Sequence, residues 1–142
     1  MHSLVALLLV ALVACSASQE NPPAREEASV PLGERFALPF SGSAAVEDLR
    51  ISFSAVTADS RCPKRVVCVW AGDAAVVLEV RTGAETRTVE LHTSAPQPSA
   101  AEAFGYRIEL VALDPYPEEP SERKPETYVA NLIVERTGGD DR

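Results

Sequence analysis

The chain contains few of the residues on which enzymes and metalloproteins most often depend. Its 142 residues include two histidines, three cysteines, one methionine and one tryptophan. Serine catalysis requires a histidine base and an orienting acid, and His92 is the only histidine beyond the first fourteen residues. No Gly-x-Ser-x-Gly turn occurs in the sequence. We therefore expect a protein that is not an enzyme and that uses no cofactor.

Positive charge is also scarce. The chain has 13 Lys and Arg against 21 Asp and Glu, which gives a formal net charge of −8. Nucleic-acid binding requires a basic face, and electrostatic adhesion to anionic lipid requires a basic segment. Both functions are therefore disfavoured, and carboxylate pairs such as Glu118 and Glu119 carry no specific signal among so many acids.

Long apolar runs are confined to residues 4–14, which are rich in Leu, Val and Ala. This run is shorter than the roughly 20 residues that a membrane-spanning helix needs. Its length and its small terminal residues are typical of a signal peptide, which we assign to residues 1–14. The alternative is an ordinary secretory signal followed by an incidental cysteine.

The segment Leu12-Val13-Ala14-Cys15 resembles the lipobox of bacterial lipoproteins. The resemblance implies that Cys15 is acylated and becomes the first residue of the mature protein. Two or three acyl chains hold a protein stably on a membrane. Ser16 occupies the position where an Asp favours inner-membrane retention, so we expect the outer membrane, with the protein facing the periplasm.

Cys62 and Cys68 remain after lipidation, in a compartment where disulfides persist. Their pairing closes a short loop, and the chain-entropy estimate for seven residues is about 2.4 kcal/mol. A redox pair is disfavoured because five residues separate the cysteines. A metal site would have to combine them with Asp59 and His92, and we expect His92 instead to lie solvated at a strand end.

The mature chain divides into three parts by composition. Residues 15–30 contain almost nothing to bury and predict a disordered tether behind the anchor. Residues 31–137 show apolar alternation with period two, interrupted by turn signals, and residues 138–142 predict a frayed tail. Seven strands are expected, with a single helical turn over residues 99–104. The first strand is marked by Phe36, Leu38 and Phe40. The other six are expected at Leu49 to Ala55, residues 65–70, residues 74–81, residues 86–92, Tyr106 to Ala112, and Tyr128 to Val134.

Seven short strands favour an all-β fold, an immunoglobulin-like β-sandwich, with a partly open barrel as the alternative. The segments Asp59-Ser-Arg-Cys-Pro63, Val67-Cys-Val-Trp-Ala-Gly72 and Leu113-Asp-Pro-Tyr-Pro117 are distinctive. Together with Tyr128-Val-Ala130 they resemble a family of small, uncharacterised bacterial envelope proteins that share an SRCP…CxWAG segment. The resemblance covers roughly residues 33–136. It implies an all-β domain with a Cys62–Cys68 disulfide, and it does not indicate a biochemical function.

The segment around the two cysteines has a structural and a functional interpretation. Structurally, Asp59 forms an Asx-turn, Trp70 covers the disulfide, and Gly72 takes a positive φ in a hairpin turn. Functionally, Arg61, Lys64 and Arg65 form a basic epitope on an acidic protein and dock an acidic partner.

Tyr116 lies in a loop rich in proline and is a second candidate for partner contact, together with Trp70. The alternative is that Tyr116 packs over the sandwich edge while Tyr128 starts the last strand inside.

Three functions follow, in descending order. The first is a non-enzymatic envelope module, lipid-anchored, which contacts an envelope protein or a cell-wall component through its loops. The second is an inhibitor-like binder that places the constrained loop 61–68 in a protease cleft, because a constrained loop loses less entropy on binding. The third is a small metal-binding envelope protein.

Overall fold

A computed structural model of the chain describes residues 28–120 and 124–138. The predicted signal peptide, Cys15 with its predicted acylation, and most of the predicted tether and tail lie outside the described residues. Within the described part, no helix is long and apolar enough to cross a membrane.

The described residues form nine strands and one short 3₁₀ helix, Pro125–Thr127. The strands are β1 Ala28–Ser29, β2 Arg35–Pro39, β3 Ser43–Val46, β4 Leu49–Asp59, β5 Ala74–Thr82, β6 Glu85–His92, β7 Ala100–Ala103, β8 Tyr106–Asp114 and β9 Val129–Arg136. One sheet has the order β1-β3-β4-β5-β6 and the other has the order β2-β9-β8-β7. Among these pairings, only β1 with β3 is parallel. The predicted all-β sandwich is confirmed.

The core lies between the two sheets because alternate residues of each strand point to the same face. In β4, Leu49, Ile51 and Phe53 are each at most 2% exposed. They face the equally buried side chains of the neighbouring strand and of the opposite sheet: Val76, Leu78, Val80, Ile108, Leu132 and Val134. The apolar residues that alternate in the sequence are therefore the residues that are buried in the fold.

Two predictions for local structure were wrong. Residues 65–70 were expected to form a strand, but they belong to an irregular loop between β4 and β5. Their β-branched residues favour strands only when a neighbouring strand pairs with them and their side chains pack, and no described strand pairs with residues 65–70. Residues 99–104 were expected to form a helical turn, but four of them form β7, which pairs with β8.

Besides β7, two further strands were not predicted. β3 contains Ser-Ala-Ala-Val, whose small residues give a weak alternation, although Ala44 and Val46 are buried. β1 lies inside the stretch 15–30 that was predicted to be disordered. Its backbone pairs with β3 at the sheet edge, so the ordered domain begins before Pro31.

The strand directions define two ends of the sandwich. β4 and β8 run toward one end, where β5 and β9 begin, and this end carries residues 60–73, 93–99 and 115–120. We call it the loop end. The opposite end carries the tight turns at residues 47–48, 83–84 and 104–105.

Gly72 is required where the chain enters β5 at the loop end. Its φ is +72°, and a Cβ atom built there would lie 1.9 Å from the backbone oxygen of Ser60. A side chain is excluded because the two arms of the loop pass too close to each other. The predicted positive φ is confirmed, although the turn is not a hairpin between two strands because residues 65–70 form no strand.

Candidate functional site

Residues 60–73 form a loop that leaves β4 and returns to β5, and we call it the stapled loop. Cys62 and Cys68 form a disulfide across it, with an S–S distance of 2.06 Å. The base is closed by two backbone hydrogen bonds, from Ser60 N to Asp73 O and from Cys62 N to Ala71 O. The predicted pairing of the two cysteines is confirmed, which removes both thiols as metal ligands. Among the described residues, no group of three or more His, Cys, Asp or Glu could hold a metal ion.

Arg61 lies inside the protein and not on the surface, where the predicted basic epitope would place it. The residue is 5% exposed. Its guanidinium donates to the backbone oxygen of Leu113 at 2.5 Å and to that of Pro115 at 3.1 Å. Because these carbonyls lie at the end of β8, Arg61 joins the stapled loop to the opposite sheet.

Asp59 balances the charge of Arg61. It accepts the Arg61 side chain at Oδ1 (2.9 Å) and at Oδ2 (2.8 Å), and the Arg61 backbone N–H at 3.2 Å closes the predicted Asx-turn. The hydroxyl of Tyr128, which is buried as predicted and immediately precedes β9, donates to Oδ2 at 2.8 Å. Burial alone would raise the pKa of Asp59, but the hydrogen bonds from Arg61 and Tyr128 outweigh it and hold this pKa below its ordinary value.

Lys64 and Arg65 lie on the surface, but each has an acidic partner. Lys64 Nζ is 2.7 Å from Glu118, and Arg65 is 3.0 Å from Glu119. The backbones also meet, since Lys64 N–H donates to Pro117 O at 3.0 Å and Arg65 N–H donates to Glu118 O at 3.3 Å. The loop is therefore locally neutral rather than basic, and it is held to residues 117–119 at Lys64 and Arg65.

The outer part of the stapled loop exposes four large apolar side chains, which we call the apolar tip. Val66 is 42% exposed, Val67 is 103% exposed, Val69 is 89% exposed and Trp70 is 82% exposed. The prediction that Trp70 covers the disulfide was wrong, because a side chain this exposed shields little. Soluble proteins rarely gather exposed apolar residues in one place without a binding role.

Tyr116 packs beside the loop and is 41% exposed. Its ring centroid lies 5.3 Å from the guanidinium carbon of Arg61 and 5.8 Å from Lys64 Nζ, so it makes cation–π contacts with both. It also lines an open cavity of about 250 Å³ between the stapled loop and β8. The expected position of Tyr116 at the sandwich edge is thus seen, while its role in partner contact stays a prediction.

A second polar cluster lies on the other arm of the loop. Asp73 accepts hydrogen bonds from the backbone N–H groups of Thr93 and Ser94, each at 3.0 Å, and its Oδ2 lies 2.6 Å from His92 Nδ1. His92 lies at the end of β6, as predicted. Its side chain is only 15% exposed and is held by Asp73, so the prediction that it is solvated was wrong. Ser60 Oγ contacts the backbone of Asp73 and not the imidazole, so these residues do not form a serine–histidine pair.

Comparison of the chain with protein-family models, with curated proteins and with solved structures found no match. The resemblance to the envelope family with the SRCP…CxWAG segment therefore stays a prediction.

The candidate site at the loop end is only partly the one that the sequence indicated. Trp70, Lys64 and Arg65 are exposed on the stapled loop, as predicted. Arg61 is instead buried and bonded to the end of β8. Val66, Val67 and Val69 were missed because an apolar alternation was interpreted as a strand. The spacing of the two cysteines could have indicated a loop here, since a disulfide between residues six positions apart is not compatible with an extended strand.

Replacing Arg61 with Met should destabilise the fold strongly. The substitution leaves the buried Asp59 carboxylate without its cation, which typically costs about 3–5 kcal/mol. Lys64→Ala, which removes an exposed ion pair, should lower the free energy of unfolding by less than about 1 kcal/mol. Urea unfolding of both variants measures the difference, and the double variant Asp59→Asn/Arg61→Met should regain part of the loss. Equal effects of Arg61→Met and Lys64→Ala would contradict the structural role of Arg61.

Asp73 should contribute a stability that disappears in acid. Burial alone would raise the pKa of Asp73, but hydrogen bonds from His92 and Thr93 lower it below its ordinary value. A carboxyl whose folded pKa is depressed stabilises fully above the unfolded pKa of about 4 and loses that effect as the pH falls further. Asp73→Asn keeps an oxygen to accept the N–H groups of Thr93 and Ser94, so this variant should lose less stability than the wild type on acidification below pH 4. Parallel stability curves for the two proteins would refute the role of Asp73.

Proposed function

We propose that this chain is a lipid-anchored module of the bacterial envelope that acts by binding and not by catalysis. The apolar tip of the stapled loop is its binding surface. The observation that carries the proposal is the exposure of Val67, Val69 and Trp70 on a loop that the fold otherwise holds in place.

The support for a binding role is energetic. Burying a valine side chain stabilises a contact by roughly 1.5–3 kcal/mol, and tryptophan is among the residues that most often dominate interfaces. The apolar tip leaves such side chains exposed to water, although the domain has a complete hydrophobic core without them. The tip is therefore not needed for folding and is free for a contact outside the domain.

The attachment of the stapled loop favours binding further. The disulfide, the buried Arg61 and the backbone bonds to Pro117 and Glu118 restrict the loop before any partner arrives. A preorganised surface loses less conformational entropy when it binds. The proposed anchor on Cys15 and outer-membrane location, which rest on the lipobox, would confine the tip to components of the envelope.

A second candidate is the inhibitor-like binder. It is favoured by one specific feature, the full exposure of Val67 within the six-position disulfide bridge, where a protease cleft could accept the loop. Such a protein would likewise bind without catalysing a reaction. The two candidates differ in whether the contacted molecule is a protease.

Photo-cross-linking in intact cells tests the proposal. A photoreactive amino acid at position 67 should form cross-links to an envelope component, whereas the same residue at position 84 should not. Ala84 is a matched control because it is exposed in the turn between β5 and β6, at the opposite end of the sandwich. A protease as the main product at position 67 would favour the second candidate. Equal, low yields at both positions would refute the tip as a binding surface.

A further inference from the structure

We infer that the apolar tip lies in the interfacial layer of the same lipid bilayer that holds the acylated Cys15. The inference rests on the proposed lipid anchor and names the lipid surface as what the tip contacts. The domain would then touch the membrane at two places, and its loop end would face the bilayer.

The first support is the direction in which the chain enters the domain. β1 runs parallel to β3, with Ala28 opposite Ala44 and Ser29 opposite Ala45. β3 in turn runs antiparallel to β4, which leads to the stapled loop. β1 therefore runs away from the loop end, so its first residue, Ala28, is the end of the strand that lies nearer the loop end.

The second support is the length of chain between the anchor and the sheet. Cys15 precedes Ala28 by thirteen positions, which span at most about 45 Å when extended. Along β4, the level of Ala28 lies at Ile51, eight residues from Asp59, which is about 26 Å at 3.3 Å per residue. The available length therefore allows Cys15 to reach the plane of the loop end while β1 keeps its pairing with β3.

The third support is the local charge. The protein as a whole is acidic, which would repel an anionic membrane. At the stapled loop, however, Lys64 is paired with Glu118 and Arg65 with Glu119, so the surface beside the tip is neutral. An apolar tip with a neutral border can approach lipid without a large electrostatic cost. Its contact with the bilayer should depend little on salt or on the content of anionic lipid.

The fourth support is the chemistry and shape of the tip. Tryptophan is enriched at membrane–water interfaces, where its ring is partly apolar and partly hydrated. Lys64 and Arg65, which are exposed on the same loop, can keep their charges in water while their stems lie along apolar surface. Val67 and Val69 project outward, being 103% and 89% exposed. A protruding tip needs a matching groove on a protein, but no groove on a fluid lipid surface.

The test uses the fluorescence of Trp70, because it is the only tryptophan in the chain. The mature chain beginning at an unmodified Cys15 is coupled through its thiol to maleimide-bearing lipid in phosphatidylcholine vesicles. Cys15 is the one cysteine outside the disulfide, so the coupling is specific. We expect Trp70 emission to shift to shorter wavelength and to be quenched by phosphatidylcholine with brominated acyl chains. High salt should leave both signals unchanged, and Val67→Asp should reduce them.

The matched control moves the tryptophan to the other end of the sandwich. In the double variant Trp70→Phe/Ala84→Trp, the only tryptophan lies in the turn between β5 and β6, and coupling to vesicles should neither shift nor quench its emission. Identical emission of Trp70 before and after coupling would overturn the inference, as would equal quenching at positions 70 and 84.

The outcomes separate this inference from the proposed function. Because the coupling is chemical, the fluorescence result does not depend on native acylation, which mass spectrometry of the mature amino terminus reads directly. If Trp70 is unaffected by vesicles while position 67 cross-links to a protein in cells, the membrane contact is excluded and the binding role remains. If neither signal appears, both are refuted.

Discussion

The ion pair between Asp59 and Arg61 is the interaction on which the loop end of this protein depends. Both side chains are almost completely buried, with 6% and 4% of their surface exposed. Removing two charges from water is costly, and the cost is offset only when hydrogen bonds satisfy both groups. Here the Tyr128 hydroxyl donates a hydrogen bond to the carboxylate, while the carbonyls of Leu113 and Pro115 accept hydrogen bonds from the guanidinium. The pair therefore ties β4, the end of β8 and the start of β9 together.

The same pair explains how the protein can display apolar residues on an irregular loop. A loop that carries Val67, Val69 and Trp70 would lower its energy by collapsing onto nearby apolar surface unless something opposed the collapse. The Arg61 anchor, the disulfide and the contacts with residues 117–119 fix its base and flank. The hydrophobic surface is thus kept apart from the core. This separation is the physical basis for a role in binding.

The sequence predicted the sandwich well and the loop end poorly, for related reasons. The alternation of Leu49, Ile51 and Phe53 is a local pattern, and the packing of the two sheets buries the same residues. The class of fold could therefore be predicted from it. Burial of Arg61 depends on carbonyls more than fifty positions away, which no local pattern reveals. An arginine next to a disulfide was accordingly assigned to the surface. His92 lies at a strand end as predicted, but its low exposure was not foreseen for the same reason, because its partner Asp73 lies nineteen positions away.

The stapled loop is held in a fixed position by its base and flank. Amide hydrogen exchange of the folded protein tests it most directly, because the N–H groups of Cys62 and Lys64 donate to Ala71 and Pro117. If the loop is fixed, both amides exchange as slowly as amides of the neighbouring strands. Arg61→Met should then speed exchange at the Lys64 amide much more than Lys64→Ala speeds exchange at the Cys62 amide. Exchange of both wild-type amides at the rate of an unstructured peptide would contradict the claim, since the apolar tip would then have no fixed position.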